Sequence, residues 1–196
     1  MKALEFPATT PPLDGPESLS NVIEAAKSGD LAPFETLMRR HERLVLVTAL
    51  RLLGKLEDAQ DASQEVFLRL YRNLGKVQAS DNLPGWLYRV TVNVCHDARR
   101  RRPDETSVEE AAELVSRGAD PQQTATRREE LRALELSLRL LSYKERAAVV
   151  LRDLEGLSTE EVAHILSTSQ ATVRSQIFKA RIKMKDFVER YFRRRV

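Results

Sequence analysis

Arg174, Ser175, Phe178 and Lys179 bring together the side-chain types that read nucleic acid. An arginine fork or a serine hydroxyl can bond base edges, and a phenyl ring can pack on a thymine methyl. A solvated charged face is the plainer explanation of such a set, but it leaves a phenylalanine among cations unexplained. Trp86, Arg89, Asn93, Asp97 and Arg100 form a second set on or near one face of a helix that ends in four consecutive arginines, Arg99 to Arg102. Cations suit a helix C-terminus, yet four in a row exceed that need and suit phosphates. A solubilising helix end is the competing explanation. The third set is acidic. Asp58, Asp61 and Glu65 recur at steps of three and four, so they share a face. The helix dipole explains Glu57 and Asp58 but not the two acids further in, and a basic partner would explain those.

Bond-making chemistry is not indicated. His41, His96 and His164 are far apart in the chain. Cys95 and His96 are adjacent on a helix, so they point about 100° apart and are poorly placed to share a metal. There is no P-loop and no dinucleotide glycine fingerprint. The expectation is a protein with no catalytic residue, no metal and no cofactor.

The first set needs a helix to present it. Gly156 suits a helix end, and Ser158 with Glu161 forms an S-x-x-E capping box that starts a new helix. Val162, Ala163 and Leu166 form its apolar side, and Ser167-Thr168-Ser169 is a polar turn. A longer helix then starts near Gln170, with Val173, Ile177, Ala180, Met184 and Phe187 inward. This is a helix-turn-helix plan whose second helix would enter a DNA major groove.

Upstream, prolines between Pro7 and Pro16 make residues 1–17 a flexible lead. A short helix is expected from Leu19 to Lys27, stopped at Gly29. Asp30 can cap the next, whose wide apolar face runs from Phe34 to Leu53 before Gly54. A third helix starts near Glu57. A polar loop over 75–83 precedes a helix opened by Pro84, with Leu87, Val90, Val94 and Ala98 inward. Residues 104–126 are acidic and contain Gly118 and Pro121, so they are expected to be a linker, with a transient helix at 108–115. Helices resume near Arg127 with Leu131, Leu134, Leu138 and Leu141, and another runs from Tyr143 to Leu154. The fold class expected is all-α, in two small helical domains.

The totals agree with a binding protein. The chain of 196 residues has formal charge +3, a pI near 9.1 and one cysteine. No internal disulfide is possible, which fits a reducing compartment. No apolar run approaches the roughly 20 residues that span a bilayer, and the start lacks a signal-peptide plan. The expected place is the cytoplasm, without membrane insertion.

Four stretches carry a resemblance, in one order: EDAQDASQEVFLRLYRNL (57–74), LPGWLYRVTVNVCHDARRRR (83–102), LRLLSYKERAAVVLRDLEGLSTEEVAHIL (138–166) and ATVRSQIFKARIKM (171–184). They resemble the extracytoplasmic-function class of bacterial RNA polymerase sigma factors, in the sigma-70 family. The resemblance implies a sigma-2 domain over 18–103 and a sigma-4 domain over 127–196. Asp58, Asp61, Gln64 and Glu65 would dock on the clamp helices of the polymerase largest subunit, and the second subunit's flap would be a further contact. Lys76, Ser80, Asp81 and Asn82 would form a pocket for a flipped base of the promoter −10 element. Trp86, Arg89, Asn93 and Arg99 to Arg102 would follow the melted strand. Thr172, Arg174, Ser175, Phe178 and Lys179 would read the −35 element. Promoter DNA and an anti-sigma factor are the other implied partners. Ser142 departs from a proline common in the family, and the Ser167–Ser169 turn lacks its usual glycine. Lys179 stands where arginine is common, so it offers a point charge instead of a fork. The alternative is a stand-alone helix-turn-helix regulator, which would have no use for the acidic helix.

Overall fold

The computed structural model describes residues 28–74, 82–101 and 121–193, together with Asn21, Val22, Glu24 and Ala25, and for 121–128 the backbone alone. Every regular element among the described residues is helical. Helix α1 (Ala32–Leu53) follows a turn where Gly29 takes φ +90°, a left-handed value that glycine adopts without a Cβ clash. Asp30 caps it from just outside, its Oδ1 accepting the Ala32 N–H at 3.0 Å. The helix closes at Gly54, left-handed at φ +82°, whose N–H donates to the Leu50 carbonyl at 2.7 Å.

Helices α2 (Leu56–Asn73) and α3 (Leu83–Arg101) pack on α1 and complete the first unit. Val45, Ala49, Leu52, Ala59, Val66, Leu70, Leu83 and Leu87 are fully enclosed there. The expected inner face of α3 is only part of what it buries. Leu87 and Val94 are buried, and Val90 and Ala98 are half-buried, but Tyr88, Thr91, Val92 and Cys95 are buried as well. The reason is that α3 is covered from two sides.

The second cover is the other unit. Helix α4 runs Pro121–Arg139, and the linker region is therefore shorter than 104–126: its last six residues are helix. Pro121, read as a linker signal, opens the helix at a position where its missing N–H is not needed. Residues 102–120, with the helix expected at 108–115, lie outside the described residues. Helix α5 (Tyr143–Val149) passes into a π-helical turn (Val150–Leu154), followed by α6 (Thr159–Ile165) and α7 (Gln170–Arg193).

Ser142, the departure from proline, has its own use. It N-caps α5 in a capping box: Glu145 accepts the Ser142 N–H at 2.9 Å, and the Ser142 hydroxyl accepts the Glu145 N–H. Glu145 is buried, which alone would push its carboxyl up. Lys183 Nζ, at 2.8 Å from both oxygens, and the Ser142 donors outweigh that and hold it below the usual range. The start of α5 is thereby tied to α7.

The two units meet along a seam, and their buried apolar residues form one continuous cluster. Arg146 is 4% exposed and crosses the seam. Its Nε donates to the Leu138 carbonyl at 2.8 Å, Nη1 to Leu52 at 2.8 Å and Nη2 to Arg139 at 3.1 Å. Those carbonyls belong to the C-terminal turns of α4 and α1, so one guanidinium serves two negative helix ends. Arg139 adds a bond to the Gly54 carbonyl at 3.1 Å, and the Tyr143 hydroxyl donates to the Val92 carbonyl. Glu155 takes Arg51 at 2.6 Å, Thr48 at 3.3 Å and the Tyr88 hydroxyl at 3.0 Å.

Two predictions follow from the seam's chemistry. Arg146→Met removes a donor from three carbonyls, of which Leu138 keeps the Leu141 N–H, and should cost about 2–4 kcal/mol in urea denaturation. Arg146→Lys should recover only part, because one ammonium cannot serve both helix ends. Glu135 lines the same crevice as Arg51, Arg139 and Arg146, and its Oε2 has no hydrogen-bond partner among the described residues. Burial raises its carboxyl from 4.5 to about 7, against the pull of Arg139 and Arg51. The folded state therefore holds the extra proton, and this contribution is complete below pH 4.5 and lost as pH rises through 7. Glu135→Gln should stabilise by on the order of 1 kcal/mol at pH 8, a figure reduced by partial solvent access, and by little at pH 4. An equal gain at both pH values in thermal melts would contradict the assignment.

Candidate nucleic-acid and protein interfaces

The helix-turn-helix is built as its residues direct. Ser158 Oγ accepts the Glu161 N–H at 3.1 Å, and Glu161 Oε2 accepts the Ser158 N–H at 2.7 Å. Those bonds from Ser158 hold the Glu161 carboxyl below its ordinary range. Val162 and Ala163 are buried, as are Val173, Ile177 and Ala180 on α7, while Leu166, Met184 and Phe187 are half-buried. In the turn, Ser167 takes φ +50°, the left-handed position for which glycine is suited. Ser169 opens α7: its hydroxyl accepts the Thr172 N–H at 3.1 Å and meets the Thr172 hydroxyl at 2.8 Å. Thr172 is exposed, but its hydroxyl is already engaged in the cap.

The outer face of α7 is open. Arg174, Ser175, Phe178 and Lys179 are all exposed, Phe178 by 67%. The cations of this helix divide into two kinds. Arg181 is bound bidentately by Asp153 at 2.6 and 2.9 Å, bonds that raise its pKa, and Lys183 is bound by Glu145. Lys185 is loosely paired with Glu189 at 3.8 Å. Arg174 meets only the neutral amide of Gln170, at 3.5 Å. No carboxylate among the described residues neutralises Arg174 or Lys179, so their charge projects outward beside an aromatic ring.

On α3, Arg89 and Asn93 are exposed and Trp86 is half-buried, one turn apart in succession, so they share a face. Asn82 is exposed, and its Oδ1 accepts the Gly85 N–H at 3.0 Å, which caps α3. A Cβ on Gly85 would sit 3.3 Å from that side chain, so the glycine makes room for the cap. Arg100 and Arg101 are exposed, whereas Arg99 is half-buried within electrostatic reach of Tyr143. Asp97 is exposed and forms no ion pair with Arg100 among the described residues. Lys76, Ser80, Asp81 and Arg102 lie outside the described residues.

On α2, Asp61 and Gln64 are exposed and Asp58 and Glu65 are half-buried, with Glu65 bound to Arg69 at 2.7 Å. Leu68 and Tyr71 are also exposed, by 48% and 47%. Leu68 lies one turn beyond Gln64 on the acidic side. The signal was legible: Leu68 falls outside the core set Val66, Phe67, Leu70. An exposed leucine with acids around it suits a protein partner with an apolar centre and a charged rim. Of the histidines, His41 is buried, His164 is exposed and His96 packs on Tyr143 at 5.0 Å between ring centres. Burial pushes the Cys95 thiol far up, so it is not a nucleophile. No helix among the described residues is long and apolar enough to cross a membrane.

Comparison with known proteins identifies the two regions that carry these faces. Residues 37–103 match Sigma-70 region 2, and residues 131–184 match Sigma-70, region 4. The RNA polymerase sigma-H factor of Pseudomonas aeruginosa is 31% identical over 175 residues, covering 84% of this chain and 91% of the relative. The ECF RNA polymerase sigma-E factor of Escherichia coli K12 is 32% identical over 183 residues, covering 88% of this chain and 95% of the relative. The solved structure of CnrH in complex with the cytosolic domain of CnrY matches with TM-score 0.63 and 25% identity, over 88% of this chain and 97% of that one. The sigma factor RpoE in complex with the anti-sigma factor NepR, from Bartonella quintana, matches with TM-score 0.61 and 21% identity, over 76% of this chain and 96% of that one.

The strained turn is open to test. Ser167→Val, a branched residue at φ +50°, should cost about 1–2 kcal/mol in thermal or urea unfolding. Ser167→Gly should be neutral or stabilising.

Proposed function

Since this chain belongs to the extracytoplasmic-function class of sigma-70 factors, which direct promoter-specific transcription initiation, we propose that its two units divide one promoter between them. The second unit lays α7 in the major groove of the −35 element. Arg174 bonds a base edge there, Phe178 packs on a thymine methyl or the groove wall, and Lys179 neutralises phosphate. The observation that carries this reading is the division of charge on α7: Arg181 and Lys183 are tied to Asp153 and Glu145, whereas Arg174 and Lys179 meet no carboxylate among the described residues.

The first unit works on the −10 element. Trp86 offers a stacking surface, while Arg89 and Asn93 lie one and two turns further along the same helix, with Arg100 and Arg101 beyond them for the backbone of an unpaired strand. Lys76, Ser80, Asp81 and Arg102 complete that surface in this reading. Asn82, already committed to the cap of α3, sets where the loop ahead of it enters. The acidic side of α2, with Asp58, Asp61, Gln64, Glu65 and the exposed Leu68, docks on the basic clamp helices of core RNA polymerase. The catalyst is the polymerase; this chain supplies address and strand capture. An anti-sigma factor fits as a regulator in this reading, since the similar sigma factor RpoE is found in complex with the anti-sigma factor NepR.

Two substitutions test the assignment. Arg174→Ala should weaken binding at a −35 site by about 1–3 kcal/mol and relax sequence preference there. A uniform loss across unrelated duplexes would mean phosphate contact only. Asp61→Arg inverts an exposed charge and should abolish pull-down of core polymerase with helical content unchanged. Retained pull-down would show that α2 docks elsewhere.

A further inference from the structure

Asp97 is the only carboxylate on α3, and nothing in the fold accounts for its place. It is exposed, in line with Trp86, Arg89, Asn93 and Arg100 at steps of three and four, so all five share one face. It stands one turn before the helix ends at Arg101, where the helix dipole disfavours an acid. Arg100 and Arg101 lie three and four residues on, the spacing at which opposite charges pair along a helix. Even so, Asp97 forms no ion pair or hydrogen bond among the described residues. The seam between the units does not use it either. Asp97 acts on Tyr143 only at a distance, because the Tyr143 hydroxyl donates to the Val92 carbonyl.

Its chemistry rests on the reading above, in which an unpaired −10 strand follows this face. A carboxylate is repelled by phosphate, so contact with the backbone cannot be its use. Toward a base it is selective. A carboxylate only accepts hydrogen bonds, and an unpaired base leaves its Watson–Crick edge free to be read. Guanine offers N1–H and N2–H side by side, two donors for two oxygens in a charge-assisted fork. Cytosine and adenine each offer one amino group next to a ring nitrogen whose lone pair opposes the second oxygen. Thymine offers one N–H between two carbonyls, which repel both oxygens. Along the helix, Asp97 lies about 6 Å beyond Asn93, which is about two nucleotides at about 3.4 Å each.

We infer that Asp97 is a specificity-determining residue: it reads one unpaired base on the Arg100 side of Asn93 and selects guanine there. The exposed Arg100 and Arg101 hold the neighbouring phosphates and offset their repulsion of the carboxylate. A cation in its place would bind the strand more tightly whatever the base. The acid lowers affinity for the wrong bases and so raises selectivity.

The test uses the full chain with purified core polymerase, on templates whose −10 region is held open by mismatch. Each of the four bases is placed in turn at every unpaired position. Wild type should favour guanine over thymine on the order of ten-fold in binding at one position. Asp97→Ala should lose that preference and leave the base profile at every other position as it was. Asp97→Asn, nearly the same in shape, presents one acceptor and one donor. It should switch the preference at that position to adenine or cytosine. A merely structural role would move all positions together or none. A wild type without the guanine preference, an unchanged profile in both variants, or an equal gain for all four bases would each overturn the assignment. Trp86→Ala and Arg89→Ala separate the two levels. If they weaken binding of open templates while Asp97→Ala changes no preference, only the role of Asp97 fails. If neither they nor Asp97→Asn affects open templates, the strand reading fails and the role of Asp97 with it.

Discussion

One guanidinium holds the described structure together. Arg146 lies where the C-terminal turns of α1 and α4 converge, and each turn carries carbonyls that no helix can satisfy internally. Two negative helix ends cannot be buried side by side without a cation between them. A lysine would bring the charge but not the fork, and an apolar residue would leave the carbonyls stranded in a low-dielectric seam. The rest of the contact is arranged around that point. Arg139 reaches Gly54, Tyr143 reaches Val92, and the apolar sides of α3 and α6 close against each other.

The same sorting of charge separates cations bound to carboxylates from cations left open. Arg181 and Lys183, although exposed, are bound by Asp153 and Glu145, which anchors α7 to α5 and the π-helical turn. Arg174 and Lys179 point away and meet no carboxylate among the described residues. On α2 the acids are treated differently: Glu65 is held by Arg69, and Asp61 is open beside Leu68. A surface that needed only water would have no reason to leave Phe178 and Leu68 out. The open cations of α7 and the open acid of α2 stand on different units, so surfaces of opposite charge are kept apart.

Much of this was legible in the chain because the governing interactions are local. The Ser158–Glu161 box, the Gly54 cap, the three-and-four spacing of Val173, Ile177 and Ala180, and the Pro84 start act within a turn or two of sequence. The same local logic exposes the misses as oversights of reading. Ser142-x-x-Glu145 is a capping box on the same pattern as the one at Ser158, and Pro121 is a helix opener in front of good helix formers.

Sequence alone therefore determined the helices, their outward faces and the order of the two matched regions, since periodicity and capping are short-range. It did not determine that α3 would be covered twice, that Glu155 would leave its own unit for Arg51 and Tyr88, or that Arg146 would cap a helix 94 residues away. Those contacts depend on how two helical bodies meet, and no spacing along the chain encodes a meeting. Burial and hydrogen bonding across the seam are set by shape and by carbonyls whose availability exists only once both helices have ended side by side.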